Sequence, residues 1–554
     1  MEAGLENIWQ QLPAELVQRI LSFLPPNDIA CTVRLINKAT AAPFHAPEFK
    51  VVRLSQPCPE HAFAWQWSKP GAARAFTYKE RRNLITLAIK SGSLPNLKVA
   101  VASAGLCRLS PDEMGIAASL GRLDMLQWLL QHGFPWGDAL PGAASKGHVD
   151  MCEWLLDNGC PWDAAAMSSA ARNGHLDVAE WLTKRRAAET GFSGTYHPKD
   201  WLCSVAAGCD LPTLIRCDSE HDGRWSGLHL MPPGVLSAAA GSRTPDWQAK
   251  VLWAEERGAR RSEEACESAA NCPDALDRLR WLWQRGYPLR SSRAAACAAK
   301  QGNIAVLEFL LQEGIRPGKR AAEFAAGAGR LEVLQWLQAR GCLLKPQKLL
   351  PFAARAGHLP VMIWLVETLG AELNSALSCA WGPEQGSSEV LRWLRRRRRF
   401  SLGFICLRDV VLTGCEELLE VVAERGYPPM PADGSLYRAA GGQGDLAMLR
   451  CLRRLDCPWG DALFDCVYEG CPLPVLQWLL DAGCPVKWYE VMETIRIAQE
   501  RNKGPSFTPQ VVAWVTEQWE LWKQKHQALF GQQHEQQPGR QQDWHGGWMS
   551  GGYS

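Results

Sequence analysis

The 554-residue chain has no excess of charge, with 60 Lys and Arg against 58 Asp and Glu and a net of +2. Without a global field of either sign, attraction to nucleic acid or to an acidic membrane surface is not built into the composition, and any such binding has to be local. No stretch approaches the roughly 18 apolar residues of a membrane span, and Met1 to Gln10 lacks the basic region, apolar run and cleavage site of a secretory leader. The expectation is an intracellular, cytoplasmic chain with no membrane partner. Tyrosine (8) and phenylalanine (15) are scarce beside 26 tryptophans. That inverts ordinary usage and asks for a recurring place where Trp is wanted. The 20 cysteines include no Cys-x-x-Cys pair, so they read as reduced, half-buried small hydrophobes.

Catalytic signatures are missing too. There is no Walker lysine loop, no zinc-ligand spacing and no Gly-x-Ser-x-Gly elbow. The glycines of Ala326-Gly327-Ala328-Gly329 and Gly441-Gly442-Gln443-Gly444 follow helical patterns and no strand, so they do not form a dinucleotide loop. Nothing nominates a nucleophile, a general base, a metal or a cofactor, and the expectation is a protein that is not an enzyme.

What is present is repetition. Gly121-Arg-Leu-Asp-Met-Leu-Gln-Trp-Leu-Leu returns as Gly147-His-Val-Asp-Met-Cys-Glu-Trp-Leu-Leu and again as Gly174-His-Leu-Asp-Val-Ala-Glu-Trp-Leu, at spacings of 26 and 27 residues. The phrase recurs from Gly302, Gly329, Gly357, Gly386, Gly444 and Gly470. Self-similarity at a fixed short period means a solenoid or array, which also answers how so long a chain avoids a single oversized core. The Trp slot is the best ruler: Trp128, Trp154, Trp181, Trp253, Trp281, Trp336, Trp364, Trp393 and Trp478 fill it, Phe309, Val421 and Cys451 substitute, and Val99 and Arg216 mark two weaker units. About fourteen units result.

One unit shows the physics. From Pro161, Asp163 can cap a first helix whose apolar face is Met167, Ala170 and Ala171; Gly174 supplies the positive φ of its end; a second helix from Leu176 presents Val178, Trp181 and Leu182. A recurring Ala-Ala step (Ala117-Ala118, Ala143-Ala144, Ala353-Ala354) lets first helices approach closely. The Trp is expected to fill the core beside it, at about 3–5 kcal/mol for emptying one slot such as Trp154. His148, His175 and His358 follow the turn glycines of separate units, so they read as structural and not as metal ligands.

The phrase Ala-Ala-x-x-Gly-His-x-Asp-Val-x-x-Trp-Leu-x-x-x-Gly-Cys resembles the ankyrin repeat over most of residues 82–490. The resemblance implies an all-α helical-hairpin solenoid that binds other proteins. It departs in period, 27 residues against about 33, and in lacking the Thr-Pro-Leu-His element. Short turns such as Cys160-Pro161, Tyr287-Pro288 and Cys457-Pro458 stand where ankyrin proteins project a finger, which moves the expected contact surface to the inner helix faces.

Ahead of the array, Leu12-Pro13-Ala14-Glu15-Leu16, Ile20-Leu21, Leu24-Pro25 and Val33-Arg34 through Asn37-Lys38 follow one another at fixed spacing. Pro13 suits a first helical turn, Leu16, Ile20, Leu21 and Leu24 share a face, Pro25-Pro26 ends the helix, and Asn27 or Asp28 can cap the next. Residues 7–46 look like an F-box. The resemblance implies docking of the Skp-type adaptor of a cullin-RING ubiquitin ligase through Leu12, Pro13, Ile20, Leu21 and Leu24, with an unidentified protein client on the solenoid. The competing reading is a helical pair that merely caps the first repeat of an ankyrin-type scaffold.

The remaining organisation is a linker at 47–81, loop insertions near 185–201 and 217–234, a capping helix at 505–530 with Val511, Trp514, Val515 and Trp522 on one side, and a Gln- and Gly-rich tail at 531–554 expected to be disordered. Arg395 to Arg399 form a run that reads either as a nuclear-localisation or anion-binding patch or as a solvated helix end.

Overall fold

The computed structural model describes all residues except 1–12, 22, 37, 43, 109, 191–199, 221–233, 290–291, 374–386, 397–405, 425–428, 502–508 and 536–554. Among the described residues the protein is all-helical, and its elements are helical hairpins in succession. They fall into two compact units, one of Met1–Met430 with Asp445–Asp456 and one of Pro431–Gly444 with Cys457–Ser554.

In the first unit the specimen repeat folds much as its residues dictate. Asp163 accepts the Ala165 N–H at 2.8 Å, just ahead of the Ala165–Arg172 helix, where Met167, Ala170 and Ala171 are fully buried. Gly174 turns the chain at φ +87°, and Val178 and Leu182 of the Leu176–Thr190 helix are fully buried behind it. First helices do come together where the Ala-Ala steps, Ala117-Ala118 and Ala143-Ala144, are fully buried, and the closest approach is made by glycines beside them. A Cβ on Gly142 would stand 2.2 Å from the Gly115 carbonyl oxygen, so the Ala139–Ala144 and Pro111–Ser119 helices touch backbone to backbone.

The Trp slot is where the expectation fails. Only Trp253, at 8% exposure, is buried among the nine tryptophans; Trp128, Trp154, Trp181, Trp281, Trp336, Trp364, Trp393 and Trp478 are half-buried. The true core positions of each second helix lie three and two residues before the Trp and one after it, as in Met125, Leu126 and Leu129, all at 0%. At 100° per residue those three share an inward face, and the Trp is rotated onto its flank. There it meets neighbours edgewise: Trp154 lies 6.3 Å from the turn residue Trp136, and Trp336 donates its indole N–H to Glu308 of the preceding repeat.

Successive hairpins are also laced along their turns. In several repeats the residue after the turn glycine reaches back over the previous turn. His148 meets the Ser119 carbonyl at 3.0 Å, His358 the Gly327 carbonyl at 3.1 Å, and Arg330 donates to the Lys300 carbonyl at 3.0 Å. Where the turn is longer, a buried cation serves instead. Lys250, fully buried, occupies a position that is Val or Met in most repeats, and its ammonium donates to the Ala206 and Cys209 carbonyls and to the Ser242 and Thr244 hydroxyls at 2.7–2.8 Å. Arg278 does the same for the Ala240 carbonyl at 2.8 Å.

The array of the first unit also meets its own beginning. Arg81, on the Tyr78–Ser91 helix, is 1% exposed and clamps Asp445 with both guanidinium nitrogens while donating to the Ala104 carbonyl (2.8 Å) and the Gly414 carbonyl (2.9 Å). Asp445 is fully buried and caps the Leu446–Arg454 helix through the Met448 N–H. Around this pin, Glu80 accepts the Ser388 N–H and hydroxyl, Arg74 pairs with Glu420, and the Gly105 carbonyl accepts the Leu446 N–H at 3.0 Å. Residues 74–105 are thereby joined to Ser388, Gly414, Glu420, Asp445 and Leu446.

Three of the expected boundaries move. The linker holds a helix, Glu60–Trp67, and the array begins at Tyr78 behind a Thr77–Glu80 capping box. Residues 185–190 and 217–220 continue the helices Leu176–Thr190 and Leu211–Glu220, so the loops are shorter than read; 191–199 and 221–233 lie outside the described residues. Leu176–Thr190 simply has no Gly or Pro to stop it after the Trp-Leu pair.

The second unit has its own core. Tyr437 is fully buried, stacks on Trp459 with centroids 4.6 Å apart, and donates its hydroxyl to the Cys457 carbonyl. Trp488–Arg501 and Pro509–Glu535 close the chain, burying Val491, Ile495, Val511 and Val515 between them. The last helix runs past residue 530, and 536–554 lie outside the described residues.

Candidate functional site

Two surfaces carry the residues that the sequence nominated. The first is the N-terminal head. Ala14–Leu21 forms a helix; Pro26–Asp28 then runs through a π-helical turn, Ile29–Val33, into Arg34–Ile36. Inside it, Leu21, Ile29, Val33 and Phe44 pack together with Phe49. Four buried side chains make a small core, and it leaves much apolar surface uncovered: Leu16 is 47% exposed, Ile20 46%, Phe23 82% and Leu24 37%, with Leu35 and Ile36 exposed beyond them.

Of the five residues expected to meet an adaptor, Pro13, Ile20 and Leu24 are exposed. Leu21 is not; at 5% it is a core residue of the head itself, because it lies one residue on from Ile20 and so points about 100° away from it. Leu12 lies outside the described residues. Phe23 is the residue the sequence reading missed. Nothing but its position between Leu21 and the Pro25 turn would have marked it.

Asn27 was expected to cap a helix and does something else. The cap position is Pro25, and Asn27, fully buried, donates to the Arg53 and Pro57 carbonyls at 2.9 Å each and accepts the Arg53 N–H at 2.9 Å. One amide side chain thus ties the head to the segment that follows it. Asn96, at 1% exposure, ties that segment to the array by donating to the Cys58 carbonyl at 2.9 Å. Burial without these bonds would cost each amide about 1–3 kcal/mol, so the two clamps fix the head's base.

The second surface is the flank of the second helices. Its tryptophans carry cations four residues on: Arg257 over buried Trp253, and Arg285 and Arg340 over half-buried Trp281 and Trp336, at 5.0–5.2 Å from the rings. Those cations are also paired within the fold, Arg257 with Asp218, Arg285 with Glu255 and Arg340 with Glu308. Glu255 additionally accepts the Tyr287 hydroxyl and Arg261, and although its burial pushes the other way, these donors hold its carboxyl below the ordinary range. The flank is therefore a self-satisfied network of aromatic rings and ion pairs, not a row of free anchors. Residues 397–399 of the arginine run lie outside the described residues.

No group of His, Cys, Asp and Glu among the described residues is arranged to hold a metal ion, and no described helix is long and apolar enough to cross a membrane. The nineteen described cysteines are free thiols, several pushed up by burial, such as Cys152 to about 12.

A family model for ankyrin repeats matches three copies at residues 114–191. That stretch holds the hairpins of Trp128, Trp154 and Trp181, so the chain is a helical-hairpin repeat protein with ankyrin repeats in its first unit. No curated protein matches it. Among solved structures it is similar to the pentatricopeptide repeat protein PPR10 from maize, at 14% identity over 94% of this chain and 78% of that one with a TM-score of 0.24. The same protein in complex with an 18-nt psaJ RNA element gives 12% identity over 82% of this chain and 84% of that one, with a TM-score of 0.23. The RNA belongs to that protein.

Proposed function

We propose that this protein is a substrate-receptor subunit of a cullin-RING ubiquitin ligase, its head docking a Skp-type adaptor while its ankyrin-type array holds the protein to be modified. Ankyrin repeats are protein-binding modules, and that much of the function rests on the matched repeats. The observation that carries the rest is the uncovered apolar face of the head. Leu16, Ile20, Phe23 and Leu24 are exposed within nine consecutive residues, and among the described residues the head's core does not include them. A contiguous apolar face of this kind marks a docking surface for another protein. A helical pair serving only to cap the first hairpin would turn that face inward. Catalysis in such a subunit belongs to the rest of the ligase, and the chain would contribute only binding.

The clamps at Asn27 and Asn96 favour a second reading, in which the head is a fixed lid on a scaffold with no ubiquitin role. Co-purification separates the two. The intact protein is expected to retain a Skp-type adaptor, and Ile20→Glu with Leu24→Glu is expected to lose it, because both side chains are exposed and neither supports the head's core. Intact protein that never retains the adaptor leaves the scaffold reading standing.

A further inference from the structure

Beside the Arg81 pin, where the beginning and the later part of the first unit's array meet, the surface opens into a groove of about 560 Å³. Lys69 and Arg74 stand on one wall, from the loop after the Glu60–Trp67 helix; Lys98 comes from the Leu94–Ala104 helix; Arg450 and Arg454 come from Leu446–Arg454, with Glu416 beside them. Residues more than 300 positions apart in sequence build it. It exists only because the array meets its own start.

Its charge is unbalanced. Glu416 and neighbouring Glu420 are engaged by Arg74 and Arg454, Arg454 reaching Glu416 at 2.6 Å and Glu420 at 3.2 Å. Lys98 and Arg450 are exposed and have no acidic partner among the described residues, and Lys69 lies 3.2 Å above the exposed Trp65 ring. Five cations thus face two carboxylates, in a chain whose net charge is only +2. The wall also holds polar atoms buried without a hydrogen-bond partner: the Ser103 hydroxyl and the Arg74 Nε, the latter 3.7 Å from Glu416.

We infer that this groove is a binding site for an acidic peptide segment of the client protein, whose carboxylates seat on Lys98 and Arg450. The volume falls within the usual range of small binding pockets, roughly 300–1,000 Å³, enough for a few side chains. A single-stranded nucleic acid would want open aromatic faces for its bases. The groove lining has none to give: Trp67 is buried against Phe63 and Phe76, and the exposed Trp65 ring, with Lys69 over it, is not part of the lining. The word client rests on the receptor reading above; the groove and its acidic ligand do not.

The test is fluorescence anisotropy on the full chain, with a rhodamine-labelled peptide of alternating Glu and Asp as probe and a charge-matched oligothymidine as rival. The peptide is expected to bind saturably and to weaken as salt rises from about 50 to 200 mM. Lys98→Glu with Arg450→Glu should weaken it by at least about tenfold, since charge reversal at both exposed sites turns attraction into repulsion. Arg316→Glu with Lys348→Glu, exposed and outside the groove, should leave it unchanged, and unaltered circular-dichroism melts keep folding out of the comparison. Any of three results overturns the inference: no saturable peptide binding to the intact protein, equal affinity in the groove variant, or oligothymidine binding as tightly as the peptide. Adaptor co-purification run on the same proteins keeps the two readings apart. A groove variant that loses the peptide and keeps the adaptor is the expected pattern, whereas peptide binding without any adaptor sinks the receptor reading alone.

Discussion

The regular stretch from Pro111 to Glu367 and the seam that joins 74–105 to 388–454 hold helices together with the same kinds of bond across very different distances. In the regular stretch a bond between repeats spans about one period, 29 residues from His148 to Ser119 and 31 from His358 to Gly327. Across the seam the bonds span 308 residues, Glu80 to Ser388, and 364, Arg81 to Asp445. A bond that repeats every period can be written once and copied. One that joins distant segments has to be written specifically, and at the seam it is written with buried charge. The comparison teaches that this repeat protein is not purely one-dimensional: nearest-neighbour stacking explains the middle of the array, and a non-local ion pair adds a contact that stacking alone would never make.

The largest expected effect breaks the seam alone. Arg81→Met leaves Asp445 buried without its partner and should cost about 3–5 kcal/mol, the usual penalty for a stranded buried charge. In native-state hydrogen exchange, protection should fall at Tyr78–Ala104, Leu407–Glu424 and Leu446–Arg454 while the helices between Pro111 and Glu367 keep their own. Equal loss in the middle of the array would mean that the two regions are one cooperative block.

Within the regular stretch, Leu155→Ala and Trp154→Ala test which residue is the core. Leu155 is fully buried and should cost about 2–5 kcal/mol. Half-buried Trp154 should cost less, about 1–2 kcal/mol, well under the full-burial figure its recurrence suggests. Urea melts giving the reverse order would return the Trp to the core.

Lys250→Met probes a buried cation that serves one period and not the seam. It removes the donor shared by two carbonyls and two hydroxyls, a loss of about 1–3 kcal/mol near neutrality. It should also remove a pH dependence. Burial pulls the Lys250 ammonium down from 10.5 to about 8 in the folded chain. Below about pH 8 both folded and unfolded forms carry the proton and the burial penalty stands in full. Between about 8 and 10.5 the folded form releases it first, so the lysine's contribution to stability rises with pH by at most about 3 kcal/mol. Wild type minus variant, measured by melts across that window, should slope upward; a flat difference would mean that the four oxygens hold the charge without penalty.

The smallest effect is a single turn rung. His148→Ala and His358→Ala should each cost about 1 kcal/mol and add when combined, since they lie in separate repeats. Coupling between them would show strain passing along the array.

Much of this was legible in the residues. The hairpin, its turn glycines and its Ala-Ala contacts follow from a 3.6-residue period and from the few residues that stop a helix, and each of the fourteen slot positions, from Val99 to Trp478, lies on a second helix. What misled was treating recurrence as burial. Trp recurs because a flank position in every repeat wants a broad aromatic, while the fully buried positions beside it are filled by interchangeable Val, Leu and Met that catch no eye. Lys250 and Arg278 were invisible for the opposite reason: a lone cation on a helix reads as solvent-exposed until the neighbouring turn is known to offer it carbonyls. In the head, spacing marked Ile20 and Leu24, which are exposed, but could not divide inward Leu21 from outward Phe23, since a single short helix shows an apolar cluster without showing which side its own core will take.

By itself, then, the sequence determined that helices pair, that pairs stack, and roughly where each begins and ends, because those are decided by contacts within one period, where local patterning is the whole of the information. Only the tertiary structure decided that Arg81 meets Asp445, that Asn27 is a clamp, and that Lys98 and Arg450 stand across one groove. The Arg81 and groove contacts join residues more than 300 positions apart and depend on how many repeats stack in between, while the Asn27 clamp depends on where the following segment passes; no local signal in the chain carries either.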